Sequence, residues 1–362
     1  MGKNREDGVY IIAEAGVNHN GSLAAAKELV QVAKEAGADA VKFQTFQAED
    51  LVTADVEKAR YQKETAVSKD TSQLSMLKRL ELPLEDFLEL AAYAKRLSID
   101  FLSTPFDEKS LSFLAERTYM PYLKIPSGEI TNAPFLLACA RTKMPILLST
   151  GMSFLGEVEM ALAVLAYGYT VRKAPTSLHD FYRAYASDEG QRALSARVCL
   201  LHCTTEYPAP VDEVNLSAMD RLRAAFSLRI GYSDHTDGIA VAIAAAARGA
   251  MVIEKHFTLD RNQEGPDHKA SLDPLELSAM VDGVRKAHRA IGSMVKAPAE
   301  SEWDNRRVAR KSLVAARSID EGDVFTREHI TAKRAGTGRS PFSYWELLGR
   351  RATCAYRKDD LL

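Results

Sequence analysis

The sequence has few cysteines, no long apolar run and no apolar segment at its start, so it lacks the usual features of secreted and membrane proteins. Its 362 residues include four cysteines, Cys139, Cys199, Cys203 and Cys354, whose spacing matches no zinc site, so we interpret them as reduced, buried apolar side chains. The longest apolar runs, such as residues 239–247, are far shorter than the roughly 20 residues of a membrane span. The polar start, MGKNREDG, lacks the apolar core of a signal peptide. We therefore expect a cytoplasmic protein that does not enter a membrane.

The chain also lacks an excess of charge of either sign. Its formal net charge is −2 at pH 7, so no overall basic field favours nucleic acid. Hydrophobic residues make up 46% and charged residues 27%, which is typical of a globular protein and excludes a disordered chain. At about 150 residues per domain the length predicts roughly two domains, one of which can be a barrel of about 250 residues.

Eight short apolar runs predict eight strands, and most are followed by a helix-like stretch. Near-continuous apolar strands that alternate with helices are typical of buried parallel sheets, and eight such units over about 290 residues predict a (β/α)8 barrel. An open doubly wound sheet is the alternative, and the absence of G-x-G-x-x-G after the first strand disfavours it. The predicted strands are residues 9–14, 40–44, 100–104, 122–125, 146–150, 198–203, 229–233 and 251–256.

Other segments interrupt or follow this repeat. Residues 48–80 are long and polar and can fold over the barrel mouth, and residues 167–196 are predicted to be an insertion. The last barrel helix is predicted over residues 274–291, and it ends at Gly292. The C-terminal part alternates short β-like runs with turns and is marginal as an independent domain. The predicted domains are a barrel at 1–292, a polar linker at 293–309 and a small, mostly β domain at 310–362.

Two histidines follow neighbouring predicted strands at the carboxyl ends, where such a barrel places its chemistry. His235 comes after the seventh strand and His256 ends the eighth. Adjacent strands lie about 4.8 Å apart, so both imidazoles can reach one divalent cation and leave positions for water and substrate. Two hydrogen-bonded histidines without a metal are the alternative.

A ring of cations and hydroxyls is expected at the same mouth. It fits a small ligand that carries both a phosphate and a carboxylate, although each serine can instead cap a helix. Glu14 and Glu129 are candidates for proton transfer or, equally, for structural ion pairs with the ring lysines. A barrel lysine can also form a Schiff base, as in a class I aldolase. The ring comprises Lys42, Lys124, Ser127, Ser149 and Ser233.

Motifs along almost the whole chain resemble the sialic acid synthase family of nonulosonic acid synthases. They include IIAEAGVNHNG, VKFQTF, KIPSGEITN, HCTTEYPAP, GYSDHT and IEKHFTLD. RKSLVA, the AKR run and the LLG turn are similar to the antifreeze-like (SAF) β-clip domain. Within the family, PSGEITN and HCTTEYPAP most resemble the bacterial N,N'-diacetyllegionaminate synthases, followed by the N-acetylneuraminate synthases.

The resemblance implies a reaction, a metal and an assembly. Phosphoenolpyruvate would condense with the open-chain aldehyde of an N-acyl hexosamine, either 2,4-diacetamido-2,4,6-trideoxymannose or N-acetylmannosamine, to give a nine-carbon 2-keto acid and phosphate. His235 and His256 would bind Mn²⁺, with Mg²⁺ or Co²⁺ as alternatives. The family forms a domain-swapped homodimer, in which Arg334 would reach the partner's sugar site. The rival functions are a Schiff-base aldolase acting on the same product and a non-catalytic sugar-binding protein.

The resemblance also implies roles for individual residues. Glu14, Glu129 and Lys124 would be catalytic, the two glutamates by managing protons as water adds and phosphate leaves. Asp267 and Arg334 would hold the sugar, and Gln44, at the end of the second strand, is a further candidate substrate-binding residue. Thr205 and residues 333–338 depart from the family pattern near the presumed sugar site, which leaves the sugar open. The phosphoenolpyruvate site would consist of Lys42, Thr104, Lys124, Ser127, Ser149, Tyr207 and Ser233.

Overall fold

Eight parallel strands form the centre of the first unit in the computed structural model, which describes residues 8–53 and 72–362. They are β1 (Tyr10–Gly16), β2 (Ala40–Thr45), β3 (Asp100–Pro105), β4 (Leu123–Ile125), β5 (Ile146–Ser149), β6 (Val198–His202), β7 (Arg229–Asp234) and β8 (Val252–His256). β1 pairs with both β2 and β8, and β3 contacts β4, so the strands close into a ring. The predicted (β/α)8 barrel is therefore confirmed, with every strand end within two residues of its predicted position.

Helices cover the outside of the barrel, which explains why its strands are apolar on both faces. Ile11, Val41 and Leu147 have no exposed surface. The α-helices in the described part of this unit are α1 (Leu23–Glu35), α2 (Ala48–Leu51), α3 (Gln73–Leu80), α4 (Leu84–Leu97), α5 (Glu108–Arg117), α6 (Ala133–Arg141), α7 (Leu155–Thr170), α8 (Leu178–Tyr185), α9 (Asp188–Arg197), α10 (Ala218–Phe226), α11 (Ala240–Ala247) and α12 (Pro274–Ile291).

Helix α12 shows how local sequence fixes these boundaries. Asp273 accepts a hydrogen bond from the backbone N–H of Glu276, whose carboxylate accepts one from the N–H of Asp273, and Pro274 occupies the first helical position. The helix ends at Gly292, whose φ of 56° favours glycine. Both predicted ends of this helix are confirmed.

The two long connections predicted to interrupt the repeat are helical where they are described. Residues 48–80 include α2 and α3, and a small apolar cluster of Val17, Phe46, Met76 and Leu80 packs α3 against the loops after β1 and β2. Part of that segment, residues 54–71, lies outside the described residues. Residues 167–196 contain the end of α7, all of α8 and most of α9.

The chain divides into two compact units, Met1–Gly292 and Ser293–Leu362. In the second unit, β9 (Lys311–Ala315) pairs antiparallel with β10 (Ile330–Arg334), and α14 (Tyr344–Leu347) lies further along the chain. Part of the stretch predicted as a linker forms α13 (Trp303–Ala309). The core of this unit is small, and its buried members are Leu313, Ala315, Ile319, Phe325, Ile330, Leu347 and Ala352.

The expectation of four buried cysteines is correct for three of them. Cys139, Cys199 and Cys203 are buried, but Cys354 is exposed because it lies on the surface of the small second unit. Within the described residues no helix combines the length and the apolar character needed to span a membrane. The cytoplasmic location stays a prediction.

Candidate active site

A cavity of about 340 Å³ opens at the carboxyl ends of the barrel strands. Every predicted site residue except Glu129 and Arg334 lines it. The strands place these side chains there because alternate residues of a barrel strand point inward. The predicted residues in the lining are Glu14, Lys42, Gln44, Thr104, Lys124, Ser127, Ser149, Tyr207, Ser233, His235, His256 and Asp267.

The floor of the cavity is a buried charge cluster centred on Glu254, which the sequence analysis did not assign. Lys124 Nζ donates a hydrogen bond to Glu254 Oε1 over 3.0 Å, and Lys42 Nζ lies 3.6 Å from Glu254 Oε2. Ser233 Oγ donates to the same carboxylate at 2.8 Å. Burial alone would raise the pKa of Glu254, but Lys124 and Lys42 lower it by more, so the carboxylate is ionised.

Glu14 forms the second acidic side of this cluster. Its Oε2 lies 2.8 Å from Lys42 Nζ, and its Oε1 accepts a hydrogen bond from Gln44 Nε2. Burial raises the pKa of Glu14 to about 7, against the opposing effect of Lys42 and with a contribution from Glu254. Burial also lowers the pKa of Lys42, but Glu14 and Glu254 outweigh it, and the net shift is upward. Glu14 therefore exchanges a proton near neutral pH while the amine of Lys42 stays charged.

Two neutral imidazoles lie at the side of the cavity. The ring centroids of His235 and His256 are 5.6 Å apart, and the ring of Tyr207 packs 4.2 Å from that of His235. Burial lowers the pKa of His235 to about 4 and that of His256 well below its ordinary value. His235 Nδ1 lies 2.6 Å from the carbonyl oxygen of Thr204, which only accepts, so Nδ1 carries the proton and Nε2 keeps its lone pair.

These imidazoles have the chemistry of a metal site with few protein ligands. His256 Nδ1 is buried without a hydrogen-bond partner among the described residues and lies 3.8 Å from Asp267 Oδ2. Within residues 8–53 and 72–362 no group of three or more His, Cys, Asp or Glu side chains is arranged to hold a metal ion. Two neutral nitrogen ligands fit a borderline divalent cation that completes its coordination with water or substrate oxygen.

Hydroxyl groups converge between the charge cluster and the imidazoles. Neither Ser149 nor Ser233 caps a helix, because Ser233 donates to Glu254 and Ser149 Oγ has no partner among the described residues. Ser127 Oγ accepts from the backbone N–H of Gly151 at 3.0 Å. A Cβ at Gly151 would lie 2.3 Å from Thr205 Oγ1 and 2.8 Å from Ser127 Oγ, so a larger residue there would displace these hydroxyls. The arrangement suits the oxygens of a small anion.

Asp267 lies on the loop after β8, beside His256. Its carboxyl is buried, and burial raises its pKa to about 6. Ser271 Oγ donates to the backbone carbonyl of Asp267. Asn18, on the loop after β1, donates to the carbonyl of Phe257 and to Ser271 Oγ, so two loops hold this position together.

Two predicted site residues lie outside the cavity lining. Glu129 belongs to a single 3₁₀ turn after β4, and its carboxylate accepts a hydrogen bond from Asn132 Nδ2 at 2.7 Å. Arg334 ends β10 in the second unit, where it is exposed. Of the two alternatives for Glu14, the structure shows the ion pair with Lys42. A pKa near 7 is compatible with proton transfer, which stays a prediction.

Comparisons with known proteins identify the family of this chain. The sequence profile of the NeuB family matches residues 29–296. The chain belongs to the NeuB family. A SAF domain matches residues 310–362, and the resemblance to the sialic acid synthases is thereby confirmed.

Several relatives of this NeuB family member have been named by activity. The N,N'-diacetyllegionaminic acid synthase of Campylobacter jejuni is 47% identical over 97% of this chain and 98% of its own. The enzyme of the same name from Legionella pneumophila is 46% identical over 94% of this chain and 90% of its own. The crystal structure of N-acetylneuraminic acid synthetase from Leptospira borgpetersenii is similar at a TM-score of 0.65 and 31% identity, covering 82% of this chain and 90% of that one.

Replacement of Glu254 tests the charge cluster directly. In Glu254→Gln the two ammonium groups lose their shared counter-charge, and we expect a loss of about 3–5 kcal/mol in the free energy of unfolding. Inorganic phosphate should raise the Tm of the variant more than that of the wild type, because an anion can replace the carboxylate. Asp282→Asn, which removes an exposed partner of Lys286, is the control and should change neither quantity. Equal phosphate stabilisation of variant and wild type would contradict the cluster's role.

Proposed function

We propose that this NeuB family protein condenses phosphoenolpyruvate with the open-chain aldehyde of an N-acyl hexosamine and releases phosphate. The observation that carries the proposal is the division of one cavity into a cationic floor and a pair of neutral imidazoles. Phosphoenolpyruvate brings a phosphate and a carboxylate, which suit Lys42, Lys124 and the hydroxyls. The aldehyde needs a group that polarises its oxygen, which suits the histidine side.

The proposed bond changes require a group that takes up and releases protons, and Glu14 is suited to this role. C3 of phosphoenolpyruvate attacks the aldehyde carbon, whose oxygen takes up a proton. Water adds at C2 and loses a proton. The C2–O bond to phosphate then breaks, and the proton of the remaining C2 hydroxyl goes to the departing phosphate, which leaves the 2-keto acid. Glu14, whose pKa lies near 7 inside the cavity, is suited to hold or take such a proton. Glu129 lies outside the lining, so Glu14 is the better supported of the two predicted groups.

His235 and His256 are proposed to hold a divalent cation, Mn²⁺ in the first place, with Mg²⁺ or Co²⁺ as alternatives. When bound, the cation would polarise the aldehyde oxygen as a Lewis acid. The two rings would be ready ligands, because both are neutral at pH 7 and the proton on Nδ1 of His235 is fixed by the carbonyl of Thr204.

For the sugar we propose 2,4-diacetamido-2,4,6-trideoxymannose, the acceptor that corresponds to an N,N'-diacetyllegionaminic acid product, rather than N-acetylmannosamine. The two relatives at 46–47% identity carry that product in their names. The cavity supports the choice, since half-buried Leu51, Val52 and Leu77 line one side of it. Apolar side chains suit the methyl groups of a 6-deoxy, doubly acetylated sugar. Asp267 would hold a sugar hydroxyl.

Neither rival function gains support from the cavity. A Schiff base requires an unprotonated amine, whereas Glu14 and Glu254 keep the amine of Lys42 charged and Lys124 is hydrogen-bonded to Glu254. A protein that only binds neutral sugar has no use for two buried ammonium groups, which are difficult to desolvate.

Phosphate release is the direct assay of the proposed reaction. We expect release from phosphoenolpyruvate only when a hexosamine is present, with a higher kcat/KM for 2,4-diacetamido-2,4,6-trideoxymannose than for N-acetylmannosamine. A chelator should abolish release and Mn²⁺ should restore it. Phosphate release without hexosamine, or a covalent lysine adduct after borohydride treatment with pyruvate, would contradict the proposal. Preference for N-acetylmannosamine would refute only the choice of sugar.

Glu14 predicts a pH dependence of phosphoenolpyruvate binding. The anion adds negative charge beside this carboxyl, so it binds best when Glu14 is protonated, and affinity should fall as pH rises above about 7. In Glu14→Gln that loss should be smaller. Calorimetry in buffers of different ionisation enthalpy would show proton uptake on binding to the wild type and less uptake with the variant. Identical pH profiles would contradict the assignment, and Glu89→Gln, at an exposed ion pair with Lys27, is the control.

We also propose, from the family resemblance, a homodimer in which Arg334 acts on the sugar site of the partner subunit. Co-expression of two inactive variants, His235→Ala and Arg334→Ala, should restore activity, because a mixed dimer combines one intact barrel with one intact arginine. A mixed dimer demonstrated by affinity tags but inactive would show that Arg334 does not act between subunits.

A further inference from the structure

The side chains of an ion pair at the ends of β7 and β8 point outward from the barrel, away from the cavity. Asp234 and Lys255 are register partners, and neither side chain has exposed surface. Side chains alternate along a strand, so these two point away from the cavity while their chain neighbours point into it. The neighbours that line the cavity are Ser233, His235, Glu254 and His256.

The contacts of this pair enclose the backbone around His235. Lys255 Nζ donates to Asp234 Oδ2 at 2.9 Å and to the carbonyl oxygen of Thr236 at 2.5 Å. Asp234 Oδ1 accepts from the backbone N–H of Thr236 at 2.9 Å, from its hydroxyl at 2.8 Å and from Tyr232 Oη at 3.3 Å. Both residues that flank His235 are thus bound to the residue that directly precedes His256.

Packing alone does not account for charges at this position. One layer nearer the amino end, the register partners on the same face are Tyr232 and Ile253, both fully buried. A buried ion pair is a poor source of stability, because desolvation offsets the attraction and apolar residues of similar size often serve equally well. Ionic hydrogen bonds, however, fix direction as well as contact, and here they fix two backbone segments that each carry an imidazole.

We propose that Asp234 and Lys255 are positioning residues that set the separation and orientation of His235 and His256 for a divalent cation. The inference rests on the proposed function, in which the two imidazoles bind one cation. Groups that orient metal ligands typically change metal affinity by 10–100-fold when they are removed. The pair should therefore affect the affinity for the metal and leave the anion site on Lys42 and Lys124 unchanged.

The double variant Asp234→Asn with Lys255→Met tests this, since it removes both charges without leaving one buried and unpaired. Electron paramagnetic resonance of free Mn²⁺, with the resting protein and no substrate, should show an affinity about tenfold or more below that of the wild type. Binding of inorganic phosphate, measured by calorimetry without metal, should be unchanged. If the double variant does not fold, Thr236→Val removes one hydroxyl donor to Asp234 and should weaken Mn²⁺ binding in the same direction.

The control removes a partly exposed ion pair at the other end of the barrel. Asp39, just before β2, pairs with Arg285 on α12 at 2.6 Å, and Asp39→Asn with Arg285→Met should not alter Mn²⁺ binding. Wild-type Mn²⁺ affinity in a folded Asp234/Lys255 variant, or an equal loss in the control, would overturn the positioning role. Failure of the wild type to bind Mn²⁺ would remove the metal from the proposed function and this inference with it, whereas hexosamine-dependent phosphate release would still stand or fall by its own assay.

Discussion

Glu254 lies between the ammonium groups of Lys42 and Lys124, which come from different parts of the barrel wall. Two cations cannot be buried in a closed barrel without a counter-charge, because each would lose several kcal/mol of hydration. The carboxylate, which accepts a hydrogen bond from Ser233, lets both lysines point into the cavity. The charged state of Lys42 follows from this cluster, whereas the pKa of Glu14 is raised mainly by burial, with a smaller contribution from Glu254.

The cavity places two neutral imidazoles beside two buried lysine side chains. Burial makes His235 and His256 neutral, and for His256 the nearby His235 and Lys42 add to the effect. Glu14 and Glu254 raise the pKa of Lys42 and so keep its amine charged over the same pH range. A site with charged amines and neutral imidazoles could hold an anion and a divalent cation side by side, as the proposed condensation requires.

Strands β7 and β8 contribute to the site through side chains on both of their faces. Inward-pointing residues line the cavity, and outward-pointing Asp234 and Lys255 join the two strand ends. Loops complete the arrangement, since Asn18 ties the loop after β1 to the segment that carries Asp267. The strand pairs of β8 with β1 and β7 therefore connect both sides of the site, since Glu14 and His256 are also register partners.

Local sequence patterns determined the strands, the ends of α12 and most of the cavity lining, because burial, capping and strand ends leave short-range signals. The family motifs determined the class of reaction. Only the tertiary structure decided that Glu254 pairs with both lysines, that Glu129 turns towards Asn132 and that Cys354 is exposed. Glu254 was visible at a strand end, but its partners lie 130 and 212 positions away in the sequence. Distances across a barrel are set by how the strands close, and no local pattern records which inward-pointing charges then meet.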